Sequence, residues 1–196
     1  MIRSLALWLA CLGCSAVLAS ERAPLVDTCG SAEWVCGDPD MPDLINGLRD
    51  LGAEAVLASY GGGWGERSYA VAVIRDQDTQ WRVVLILDPG RGDDQSHRKG
   101  DRRAQRTPAE FVSMMEKTSR DLPQTTGQAL ASLWESVLGR MPGGYVGTMA
   151  FDAVDHTFAT KTYSVSASET PNKLLAELLD VSNSLAIFAL TKTDVT

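Results

Sequence analysis

Residues 53–88 read AEAVLASYGGGWGERSYAVAVIRDQDTQWRVVLILD, and the fold follows from them. Three runs, Ala53–Tyr60, Arg67–Asp76 and Gln80–Asp88, are rich in Val, Ile, Leu and aromatic residues. Such runs suit strands with little polar face to spare, and the rest of the chain is expected to cover this sheet. Asp76–Thr79 is the expected hairpin turn, and Asp88-Pro89-Gly90 ends the third strand. Gly61-Gly62-Gly63-Trp64-Gly65 joins the first two strands. No Lys-Ser or Lys-Thr follows it and the next element is a strand, so a phosphate-cradling loop is disfavoured. Trp64, at the tip of that link, is a candidate contact anchor, because Trp is enriched where interfaces are tightest.

Helices are expected to supply the cover. Met41 to Leu51, capped by Asp40, carries Leu44, Ile45, Leu48 and Leu51 at three- and four-residue spacing, and Gly52 stops it. Thr107-Pro108-Ala109-Glu110 is a capping-box start for a helix predicted to continue to about Arg120. Leu122-Pro123 breaks it, and a second helix carries Leu130, Leu133, Trp134, Val137 and Leu138. The Met and Trp stripe of these two helices reads as core. Tyr145–Asp152 and His156–Ser166 read as a further strand pair, with broken alternation that suggests a bulge. Thr170-Pro171 is expected to open the last, strongly apolar helix. The sum is a single α+β domain: an antiparallel sheet of about five strands packed by three to four helices.

The N-terminus reads as a secretory signal over residues 1–19, leaving 20–196 as the domain. Arg3 precedes an apolar run, Leu5–Leu12, and Val17-Leu18-Ala19 offers a cleavage site. The run is too short for a spanning helix. Cys11 and Cys14 lie within or just after it; lipid attachment at either would make the protein an envelope lipoprotein, although two of the three flanking positions are wrong each time. Cleavage leaves Cys29 and Cys36, which in an oxidising compartment are expected to form one disulfide. Closing so short a loop contributes about 2–3 kcal/mol by chain entropy.

The chain carries a net charge of -7, which disfavours nucleic acid as a partner and is compatible with a protein partner. Its one concentrated basic segment is Arg91–Arg106, with Arg98, Arg102 and Arg103 as binding candidates. Asp152, Asp155 and His156 form a weak metal-ligand candidate in a turn whose aspartates are equally at home without an ion. No Gly-x-Ser-x-Gly elbow is present, both mature cysteines are expected to pair, and no cofactor motif appears. From Leu130 onward, Leu133-Trp134-Glu135 and Val137-Leu138 on a helix, a Gly-containing strand pair ending near Phe158 and a Thr-Pro-capped apolar helix resemble small exported bacterial proteins of uncharacterised function. The expected role is a periplasmic, non-enzymatic protein-binding protein of inhibitor or immunity type. The alternatives are a periplasmic hydrolase or metal-assisted enzyme, and a structural envelope lipoprotein.

Overall fold

The computed structural model describes residues 41–61, 68–76, 79–87, 107–141, 144–146, 154–168 and 172–191. They form one α+β domain. The strands are β1 (Ala53–Gly61), β2 (Tyr69–Arg75), β3 (Trp81–Leu87), β4 (Lys117–Leu122), β5 (Gly144–Val146), β6 (Val154–Ala159) and β7 (Ser164–Ser168). The helices are α1 (Met41–Asp50), α2 (Pro108–Ser113), α3 (Gln124–Leu138) and α4 (Lys173–Leu190). One sheet runs β4-β3-β2-β1-β6-β7-β5; six strands are antiparallel, and the three-residue β5 lies parallel to β7.

The apolar runs of β1, β2 and β3 are explained by a helical layer on each face. Ala55, Leu57, Val71, Val73, Val83 and Leu85 pack beneath α3 and α4, with Trp134, Leu138, Leu175 and Leu178. The alternate residues Val56, Ala58, Ala70, Ala72, Val84 and Ile86 pack beneath α1 and α2, with Leu44, Ile45, Leu48 and Val112. Successive side chains of a strand point to opposite faces, so two cores require strands apolar throughout. Gly127 lets α3 approach the sheet: a Cβ there would lie 2.4 Å from the Trp81 ring.

Local signals explain the element ends. Gly52 follows α1 at φ +93°, a conformation that costs a glycine little. At the β2–β3 turn the Asp76 carboxylate accepts from the Gln80 amide and pairs with Arg82, while Thr79 takes φ 64°. The predicted capping box is present, with Thr107 Oγ1 accepting from the Glu110 amide and the Glu110 carboxylate from the Thr107 amide.

Three expectations are corrected. The helix opened by Thr107 ends at Ser113, and residues 117–122 pair with β3 as β4. Without β4, β3 would leave a long apolar edge open, and sheet pairing outweighs the helical spacing of Phe111, Val112, Met114 and Met115. Met114 is accordingly 66% exposed, outside the core, whereas Trp134 is buried. The stretch His156–Ser166 is not one strand. It folds back at Thr160–Tyr163, where the Thr160 amide donates to the Tyr163 carbonyl, so β6 and β7 form a hairpin. The last helix is capped by Asn172, whose Oδ1 accepts from the Leu174 amide at 2.8 Å. Asp40, Thr170 and Pro171 lie outside the described residues.

Candidate functional site

Polar side chains under the α3/α4 layer gather at one end of the sheet. Ser59, near the end of β1, sits opposite Tyr69 on β2 and opposite His156 on β6. The three therefore form a row across adjacent strands, all on the face that carries Leu57 and Phe158. The Ser59 hydroxyl and His156 Nδ1 share a 3.0 Å hydrogen bond. The Tyr69 hydroxyl donates to Asn183 Oδ1 at 2.7 Å, tying α4 to the row. Sequence reading missed this group. The signal was a Ser placed in phase with Ala55 and Leu57, where the core expects an apolar side chain.

Burial shapes the chemistry of the row. His156 has its pKa lowered from 6.5, because burial disfavours the imidazolium and the Asp155 carboxylate beside it only partly compensates. The Tyr69 phenol is pushed up by burial, against a smaller pull from the Ser59 hydroxyl. A buried serine bonded to a neutral imidazole invites comparison with an activated nucleophile. Three facts oppose that comparison. Ser59 is 1% exposed, so a substrate carbonyl cannot approach Oγ. β1 is paired on both sides, so the backbone around Ser59 is committed to the sheet rather than to an oxyanion. Among the described residues, His156 Nε2 has no partner to orient the ring. The pair instead satisfies two polar groups inside the sheet.

The residues proposed from sequence are distributed as follows. Trp64, Arg98, Arg102, Arg103, Asp152, Cys11, Cys14, Cys29 and Cys36 lie outside the described residues. Asp155 and His156 are consecutive on β6, so their side chains leave opposite faces of the sheet. Among the described residues, no group of three His, Cys, Asp or Glu side chains is placed to hold a metal ion.

The register also fixes where the candidate loops attach. Tyr69 pairs with Leu87, and Gly61 with Val154. The segment carrying Trp64 thus begins after Gly61 and ends before Tyr69, and the segment carrying the arginines begins just after Leu87, all at the end of the sheet marked by Ser59 and His156. Leu87 is 47% exposed there. A separate cleft of about 530 Å³ opens between β4 and α4, lined mainly by Leu122, Pro123, Val181, Leu185 and Phe188 with Asp180 at its rim.

Among the described residues, no helix is long and apolar enough to cross a membrane. No protein-family model matches the chain, and no curated protein or solved structure matches it.

Proposed function

We propose that this is an exported, non-enzymatic protein-binding protein acting in the periplasm, with its contact surface at the Ser59–His156 end of the sheet. The observation that carries the reading is the Tyr69–Leu87 pair, which attaches the Trp64 segment and the arginine-bearing segment to neighbouring strands at that end. Loops projected from one end of a rigid two-cored scaffold are a common way to build a recognition surface. Trp64 supplies the aromatic anchor, while Arg98, Arg102 and Arg103 favour an acidic partner. The buried row holds β2, β1 and β6 in register and fixes the strand ends from which the segments leave.

Affinity capture from the envelope fraction of the native cell tests the reading. One stoichiometric protein partner supports it, and a blank counts against it. A hydrolase is the second reading, favoured by the 3.0 Å Ser59–His156 contact. Its discriminating test is an activated fluorophosphonate probe. Ser59 is expected to stay unlabelled, and labelling lost in Ser59→Ala would replace the first reading with the second.

A further inference from the structure

One of the two most exposed large apolar side chains among the described residues lies beside β4. Met114 is 66% exposed, Ile187 66% and Leu190 52%. Met114 follows α2 and precedes β4 by three residues. On α4 it is Phe188 that faces β4, its ring 3.9 Å from the Arg120 guanidinium carbon, while Ile187 and Leu190 lie about 100° and about 160° around the helix from it. Met114 therefore stands uncovered beside β4 on the α2 side. That strand is the edge of the sheet, and among the described residues its outer side has no strand partner. An edge offers backbone N–H and C=O groups at every second residue, and charges on it normally repel a second strand.

Here the charges have the opposite effect for a particular partner. Lys117, Ser119 and Asp121 share one face of β4, while Arg120 and Leu122 share the other. An antiparallel copy related by a two-fold axis at Ser119 puts Lys117 opposite the partner's Asp121, and Asp121 opposite the partner's Lys117. Both are opposite-charge pairs, directly across from each other on one face. Centring the axis at Arg120 instead would set that arginine against its own copy. The sequence KTSRDL is thus self-complementary in one register.

We propose that two copies of this chain associate through β4, edge to edge and antiparallel about Ser119, making one continuous sheet. The association covers Met114 on the α2 side. The interface is isologous, as a closed dimer requires.

Sedimentation of the purified protein from about 1 to about 200 µM tests this, together with Lys117→Asp and Asp121→Lys. The wild type is expected to dimerise. Each single variant places like charges across both pairs and weakens the dimer by at least about tenfold. Mixing the two variants restores both opposite-charge pairs, so the mixture is expected to form heterodimers with near wild-type affinity. That outcome cannot arise from misfolded variants, and circular dichroism checks each one separately. A wild type monomeric throughout the range overturns the proposal, as does a dimer indifferent to both single variants or a mixture that fails to re-associate.

Discussion

Arg49 Nε donates a 2.7 Å hydrogen bond to the carbonyl of Thr160, 111 positions away, and its Nη2 reaches the Tyr163 carbonyl at 3.0 Å. The arginine is 3% exposed, so a charged side chain of α1 is spent on holding the β6–β7 turn. That turn positions β6, and with it His156. Arg49→Met keeps the apolar stem but removes the arginine donor from the Thr160 carbonyl and leaves the Tyr163 carbonyl with the Thr160 amide alone. A loss of about 2–4 kcal/mol is expected. Urea denaturation monitored by circular dichroism measures it, and a change below about 0.5 kcal/mol would show that the turn needs no tether.

Gly127 seats α3 directly against the Trp81 ring of β3. Alanine would add roughly 1 kcal/mol of helix propensity. Its Cβ would also meet Trp81 ring atoms at 2.4 Å, and overpacking of that kind costs about 1–3 kcal/mol. The clash is expected to win, so Gly127→Ala lowers the thermal midpoint. A raised midpoint would contradict the tight seat of Trp81.

His156 makes stability depend on pH in a definite direction. Its folded pKa lies below 6.5, so near and below that value the unfolded chain binds more protons than the folded one. Stability is therefore lost as pH falls through about 6.5 toward the folded pKa. His156→Gln lacks this contribution, so the wild type should lose more stability than the variant between about pH 7.5 and about pH 5. Urea midpoints at the two pH values measure the difference. Parallel losses would mean that the histidine titrates normally.

Much of this architecture was legible because the cores impose a pattern. β1, β2 and β3 could be read from their continuous apolar runs, and Thr107 and Glu110 announced α2. What escaped detection depends on long-range pairing. Lys117–Leu122 has no apolar alternation, since an edge strand buries little, and only the uncovered side of β3 calls for it. On α1, the spacing that marked Leu44, Ile45 and Leu48 also marked Leu51, which is 41% exposed, while Arg49 is the buried residue. Nothing local distinguishes that arginine, because its partners are carbonyls more than a hundred positions away. The Ser59–His156 row was hidden for the same reason: register, not spacing, brings the two together.

The central claim is that the segments leaving the Ser59–His156 end of the sheet contact a protein partner. The most direct measurement is calorimetric titration of the captured partner against the wild type and the Trp64→Ala, Arg102→Ser, Arg103→Ser triple variant. The account predicts at least about tenfold weaker binding by the variant, with an unchanged thermal midpoint, because an aromatic anchor and two positive charges are removed from the proposed contact segments. Equal affinity for the two proteins would contradict it.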